Sequence, residues 1–328
     1  MHMADALLSP AVAGTMYGAS AVAAVAATVK LRQRPEAVKV AEVGVMGAFV
    51  FAAQMVNFAV PGTGSSGHIC GGVLLSAILG PATAFLTLAG VLLVQCLFFA
   101  DGGILALGAN VWNMGFYGCM VGGGIVWPLM VRNGFSRGRI YAASIVANIV
   151  ALQLGALTVS LQTLASGVTE LPFSAFLLAM QPIHLAIGLA EGVITASVLA
   201  FVAGARREML YGAVGETSRL SRKAMLLVAS AAALLTAGFL SLAASSSPDG
   251  LEWSIGRVAG TAELERSGAI HAAAGKAAES AAIFPDYNFP GSESSFGGGA
   301  AGVAGTVAVF FFCAAGLLAV KFGRKRSR

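Results

Sequence analysis

Residues 71–100, "GGVLLSAILGPATAFLTLAGVLLVQCLFFA", decide how this chain crosses a bilayer. The stretch is apolar over more than the roughly 20 residues that one helical span needs. Gly80-Pro81 interrupts it, because proline lacks the N–H of a helical bond and clashes with the preceding turn. It therefore supplies either two passes, or one pass plus a half-helix lining a cavity, where irregular backbone is tolerated. Other apolar stretches of span length run near 10–30, 39–60, 105–130, 139–165, 176–204, 223–244 and 300–320. Basic clusters separate them: Lys30, Arg32, Arg34 and Lys39; Arg132, Arg137 and Arg139; Arg206 and Arg207 with Arg219, Arg222 and Lys223; and the tail "KFGRKRSR". All four are expected on the cytoplasmic face, where loops carry an excess of Lys and Arg. The N-terminus and the loop 61–72 then lie outside, and reaching 132–139 takes an odd number of crossings. That parity requires 71–100 to count twice. The result is about seven passes up to Arg206, an exit through 223–244, an extracytoplasmic segment at 245–299 and a return through 300–320.

Composition agrees with this all-α polytopic architecture. Hydrophobic residues make up 57% of the chain and charged residues only 11%, against about 25% charged in soluble domains. The 42 glycines suit helices that approach closely in lipid. A net charge of +5 is spread over the clusters between spans, so it reads as orientation and excludes a nucleic-acid partner. Cys70, Cys96, Cys119 and Cys313 are far apart, with no CxxC pair and no disulfide framework. The first basic residue is Lys30, beyond the first apolar run, so the opening residues lack the basic start of a secretory signal and are expected to stay on the mature protein. The change of composition after the seventh stretch divides the chain into 1–220 and 221–328. Segment 245–299 holds much of the acid and ends in a Gly-Ser run, as a small module with a flexible exit does. Its "GAIHAAAGKAAES" is no P-loop, because the glycines are misspaced and alanine follows Lys276. No ATP is expected on this chain.

The first block, "MHMADALLSP", carries the chemistry. A free Met1 amine, the His2 backbone amide and the His2 imidazole Nδ1 can close two fused chelate rings on one ion. Ionising an amide at neutral pH requires a metal that rewards a planar field of strong nitrogen donors, as Ni²⁺ and Cu²⁺ do and Zn²⁺, Mg²⁺ and Ca²⁺ do not. A bulky second residue is expected to leave Met1 in place. His68, in the outside loop "PGTGSSGHICGG", is the candidate for the fourth nitrogen; the alternative is an exposed loop histidine. Cys70, two residues on, is either a softer alternate ligand or a packed thiol.

Four motifs resemble those of one family. "MHMADALLSP" looks like the Met-His-x-x-Asp-x-x-Leu-Ser-Pro start of the CbiM/NikM family, the substrate-capture (S) components of energy-coupling factor (ECF) transporters for cobalt and nickel. The loop at 61–72 resembles its Ser-Gly-His loop, "ADGGILALGANVWNMG" (100–115) its Asp-Gly-Gly…Asn segment, and "HLAIGLAEGVIT" (184–195) its His-x-x-Ile-Gly-x-x-Glu-Gly signature. "SPDGLEW" (247–253) opens a final third that resembles the small PDGLE-type accessory subunit fused in NikMN-like proteins. The departures are Ala6 in place of glycine and Cys70 in place of a smaller or aliphatic residue. The resemblance implies Ni²⁺ or Co²⁺ as transported substrate, held by Met1, His2 and His68. It also implies a transmembrane coupling (T) subunit and cytoplasmic ATPase subunits as partners, and a place in the cell inner membrane with the N-terminus outside and the C-terminus inside. It implies that the chain is no enzyme. A self-sufficient secondary metal transporter or channel is the alternative, with Glu191 its main candidate for coupling. An intramembrane metalloenzyme using His184 and Glu191 is a third reading, although no HExxH occurs.

The remaining polar residues have two readings each. His184 and Glu191 share one helix face, and ionisable groups at mid-bilayer face the protein interior; a structural pair, or support for the metal ligands, is favoured over direct ligation. Asp101, Asn110 and Asn113 either cap a helix start and anchor its loop or orient His2 and His68. Asp5 either caps the first span or holds the N-terminal segment down. Asp249, Glu252 and Trp253 are expected to pack the accessory loop, with the metal site as the place it would cover, and His271 is either a transient ligand or, as favoured for a lone histidine in an Ala-rich segment, solvated.

Overall fold

The computed structural model describes the chain except residues 34–38, 214–218, 262–263, 265–267, 292–294 and 323–328. Arg34 and the basic residues after Phe322 thus lie outside the described residues. Helix α1 (Pro10–Gln33) opens on a proline at its first position, and its Val12 N–H donates to the Ser9 hydroxyl at 3.4 Å. At 1.5 Å per residue it spans about 36 Å, enough for a bilayer core. Helix α2 (Val40–Gln54) is shorter than the 39–60 expected, because the chain leaves it for a two-stranded hairpin, β1 (Phe58–Val60) and β2 (Ser65–Gly67). The strands pair antiparallel with Phe58 opposite Gly67. Gly62 and Gly64 turn the hairpin at φ of 76° and 75°, a region that glycine enters without steric cost.

The stretch that decided the topology folds as a short helix and a long one. Helix α3 (Gly72–Leu79) has only eight residues, all buried, and α4 (Pro81–Phe99) has nineteen. Gly80 joins them at φ 78° with Tyr211 packed on it: a Cβ there would stand 2.6 Å from the tyrosine ring. The break expected at Gly80-Pro81 is thus present, with a helix shorter than a full span before it and one of nineteen residues after it. Helix α5 (Leu107–Asn110) widens into a π-type coil (Val111–Val126) and continues as α6 (Trp127–Val131). The glycine-rich coil lets α3 approach to backbone contact, a Cβ on Gly72 falling 2.7 Å from the Gly118 Cα.

Helices α7 (Arg137–Ser166) and α8 (Phe173–Arg206) pack side by side along most of their length. Helix α9 (Arg222–Gly238) ends before the expected 244, in a 3-10 turn over Leu240–Ala243. Two short helices, α10 (Gly250–Ala259) and α11 (Ala269–Ala281), precede the last, α12 (Ser295–Phe322). Helix α12 seats on α2 at two glycines: a Cβ on Gly44 or Gly47 would lie 2.9 Å from Phe310 or 3.0 Å from Cys313. An Arg222–Glu42 ion pair ties α9 to α2 as well. Six helices among the described residues are long and apolar enough to cross a membrane: Pro10–Gln33, Pro81–Phe99, Leu107–Val131, Arg137–Ser166, Phe173–Met209 and Gly297–Phe322. Their outward faces carry large apolar side chains such as Val22, Leu178 and Phe311, a surface that lipid solvates and water does not.

Candidate metal centre

The first eight residues are drawn into the protein. Met1, Met3, Leu7 and Leu8 are buried, and each stretch of this segment has a partner. The Asn110 amide grips the Met3 main chain twice, Oδ1 accepting from the Met3 N–H at 2.7 Å and Nδ2 donating to the Met3 carbonyl at 3.1 Å. Gly103 N–H donates to the same carbonyl at 3.0 Å. Asp5 accepts from the Ala106 N–H at 3.0 Å, so it anchors the segment, and Ser9 is the cap of α1. Asn113 and Gln162 exchange amide hydrogen bonds of 2.7 and 3.1 Å beneath the Met3 thioether. The N-cap of α5 is Ala106, which makes no side-chain cap bond, so Asp101, Asn110 and Asn113 are not its caps.

This anchoring brings the terminal nitrogens to the His68 loop. The Met1 amine lies 3.2 Å from His68 Nε2 and 2.7 Å from Asp249 Oδ2. The His2 and His68 rings stack at 5.4 Å between centroids and 18° between planes. His68 Nδ1 lies 3.0 Å from the Ile69 carbonyl; with its proton there, Nε2 turns a lone pair toward the amine. His2 Nδ1 is 3.3 Å from Asp101 Oδ1, and His2 Nε2 is buried without a hydrogen-bond partner. Asp101 in turn accepts from the Tyr287 hydroxyl.

The loop after His68 is fixed from below. Glu191 Oε1 accepts from the Gly71 N–H at 2.8 Å, and Gln54 donates to the Cys70 carbonyl at 3.0 Å while accepting from Gln95 at 3.0 Å. His184 Nδ1 bonds the Met180 carbonyl at 2.8 Å and leaves Nε2 unpartnered. His184 and Glu191 are therefore not bonded to each other. Glu191 holds the His68 loop and His184 stands behind it, both fully enclosed.

Burial, then the amine and His2, push His68 down to about 3, so it is a neutral imidazole with a free lone pair. Burial also lowers His2. Burial would lower the Met1 amine, but the Asp249 carboxylate outweighs it and the amine is raised above its ordinary value. Asp249 is held well below the carboxylate range: the amine and His68 overcome its burial. Burial pushes the Cys70 thiol up, away from the thiolate that binds metals. Among the described residues no three His, Cys, Asp or Glu side chains converge to hold a metal ion. A cavity of about 670 Å³ opens beside His2 and His68, and Asp101, Glu252, Glu279 and Asp286 line it. Carboxylates around a cleft raise the local cation concentration.

Residues 2–209 match the family described as "Cobalt uptake substrate-specific transmembrane region", CbiM, and residues 223–321 match the PDGLE domain. A putative fused nickel transport protein NikMN of Archaeoglobus fulgidus is 32% identical over 312 residues, 94% of this chain and 95% of that one. The chain belongs to the CbiM family. It also carries a C-terminal PDGLE domain. The cobalt transport protein CbiM of Sorangium cellulosum is 34% identical over 172 residues, covering 51% of this chain and 75% of that one. A crystal structure of a truncated transition metal transporter superposes with a TM-score of 0.54 at 29% identity, covering 62% of this chain and 98% of that one. With the six apolar helices, this CbiM-family chain is a multi-pass membrane protein. Its relatives are named as metal transport proteins, not enzymes.

Three residues around the site, Gln54, Gln95 and Tyr287, escaped sequence reasoning. Gln54 and Gln95 sit singly in apolar helices, and an isolated glutamine there is itself a signal of an interior polar contact. The motif Asp249-Gly250-Leu251-Glu252 is a capping box, legible as a helix start but silent about the amine. Tyr287 stood in a loop without periodicity. His271, expected to be solvated, is buried, with Nε2 2.8 Å from the Leu8 carbonyl; an alanine-rich helix packs closely enough to bury it.

Proposed function

We propose that this chain is the substrate-capture component of an ATP-driven ECF-type importer for Ni²⁺ or Co²⁺. One observation carries the reading: the Met1 amine and His68 Nε2 stand 3.2 Å apart, with the His2 ring stacked on His68, in a buried pocket. The amine, the His2 amide, His2 Nδ1 and His68 Nε2 are the four nitrogens of the site. A planar nitrogen field favours Ni²⁺ over Co²⁺. His2 Nδ1 reaches the ion by leaving Asp101. Binding expels protons from the amine and the amide, so reprotonation drives release.

The N-terminus faces outside and the basic ends of the helices face the cytoplasm. Residues 1–220 form the capture unit and 221–328 the accessory unit. ATP is hydrolysed by partner ATPases, joined through a transmembrane coupling subunit, and the basic cytoplasmic surface near 205–223 or the small-residue faces of the spans dock that subunit. Uptake of radiolabelled Ni²⁺ by cells tests the reading. Uptake is expected only when the chain is co-produced with coupling and ATPase subunits, and is lost with His68→Ala. Uptake by the purified chain alone in vesicles, driven by an ion gradient, would identify a secondary transporter.

A further inference from the structure

Segment 245–253 of the accessory unit lies across the outside end of the bundle, and its bonds go to one place. The Ser66 N–H donates to the Pro248 carbonyl at 2.8 Å, the Ser66 hydroxyl to the Ser247 carbonyl at 2.7 Å, and the Trp253 indole N–H to the Thr63 carbonyl at 3.0 Å. The strap is thus stitched to the hairpin that leads into His68. Its carboxylate is divided. Asp249 Oδ1 caps α10, accepting from the Leu251 and Glu252 N–H groups at 2.8 and 2.9 Å, which fixes the side chain. Oδ2 is left to accept from the Met1 amine at 2.7 Å. Gly250 permits this approach, since a Cβ there would stand 2.8 Å from Ile187 and 3.2 Å from the His184 ring.

We propose that Asp249 is a positioning residue of the metal site, holding the terminal amine toward the ion and thereby making metal capture depend on the accessory unit. The inference rests on the Met1–His2–His68 site proposed above. An amine bound to a metal keeps N–H groups, polarised by the cation, and a carboxylate is their strongest acceptor. Ni²⁺ with one ionised amide also carries one net positive charge, which the Asp249 carboxylate offsets in a pocket with little water. Outer partners of this kind are worth about 10–100-fold in metal affinity.

The test is Ni²⁺ affinity of the purified full-length chain by chelator competition, read with the absorption spectrum and thermal midpoint. The variants are Asp249→Ala, Asp249→Asn, Trp253→Phe and His68→Ala. Asp249→Ala is expected to weaken binding about 10–100-fold while the saturated spectrum keeps its band, because the four donors are unchanged. Asp249→Asn keeps its one carboxamide oxygen for the helix cap and turns an NH2 donor toward the amine, so it is expected to weaken binding as Asp249→Ala does while the thermal midpoint stays near that of the wild type. Trp253→Phe loosens the strap without touching the amine and leaves affinity within about threefold, the change of roughly 0.6 kcal/mol that a weak peripheral bond carries. Asp249→Ala binding as tightly as the wild type, while His68→Ala abolishes binding, overturns the role of Asp249 and leaves the site reading intact. Unchanged binding in His68→Ala removes the site reading, and this inference with it.

Discussion

Asn110→Ala removes the clamp that holds the N-terminal segment in place. Asn110 is 2% exposed and Met3 fully buried, so the freed groups meet no solvent. The Met3 carbonyl keeps the Gly103 N–H at 3.0 Å, whereas the Met3 N–H loses the 2.7 Å bond to Asn110, its only acceptor among the described residues. A buried orphan donor costs about 1–3 kcal/mol, and the surviving carbonyl bond argues for the middle of that range. About 2 kcal/mol corresponds to roughly a thirtyfold rise in the opening constant of the segment, at 1.4 kcal/mol per tenfold. Native-state hydrogen exchange, read by mass spectrometry on the N-terminal peptide, measures that constant directly. The expected result is about thirtyfold weaker protection at residues 2–8, with the α7 and α8 peptides unchanged. Protection that falls less than about threefold at 2–8 would refute the clamp, since such a change is below the cost of one orphaned buried donor.

Three further outcomes follow from the same geometry. Gly103→Ala places a Cβ 1.6 Å from Asp5 Oδ1 and 2.5 Å from Asp5 N, an overlap costing about 3 kcal/mol; Ni²⁺ binding is expected to be lost, and partly recovered when Asp5→Ala is added. Glu191→Ala frees the Gly71 N–H, a bond of 2.8 Å to a carboxylate worth about 1.5–3 kcal/mol, so Ni²⁺ affinity is expected to drop at least tenfold, whereas Glu191→Gln keeps the acceptor and most of the affinity; equal affinities in the two would contradict the loop-holding role. His68 is pushed down to about 3 from 6.5, so its contribution to docking is complete above pH 6.5 and is lost as pH falls toward 3. The amine is raised from 8.0, so its contribution is complete below pH 8.0 and is lost as pH climbs through the raised value. Imidazole NMR of the metal-free protein is therefore expected to find His68 neutral at pH 5, and a charged ring at that pH would contradict the burial argument.

Much of the plan was legible because membrane architecture is written in hydropathy and charge. The break at Gly80-Pro81 located the short helix, and Met1-His2 with His68 pointed to an amine and an imidazole that stand 3.2 Å apart in the fold. The ends of α2 and α9 were not legible, because the residues that follow them are still apolar and it is the hairpin and a 3-10 turn that stop the helices. The roles of Asn110, Asp5 and Glu191 were open for a different reason. Each bonds main-chain groups far away in sequence, Asn110 to Met3, Asp5 to Ala106 and Glu191 to Gly71, and backbone partners leave no residue-type signature. Asp249 shows the same effect most clearly: its capping box is a local pattern, while its amine bond spans 248 positions.

In the proposed function the terminus itself holds the metal. The measurement that tests it most directly is the metal content and Ni²⁺ absorption spectrum of the purified protein beside a variant with one alanine inserted between Met1 and His2. The insertion keeps every side chain of the chain and changes the chelate-ring pattern at the terminus. One planar, diamagnetic Ni²⁺ per chain is expected in the wild type and none in the insertion variant or in His68→Ala. Full nickel occupancy with an unchanged spectrum after the insertion would contradict it, and would move the search to His184, Glu191 and Cys70.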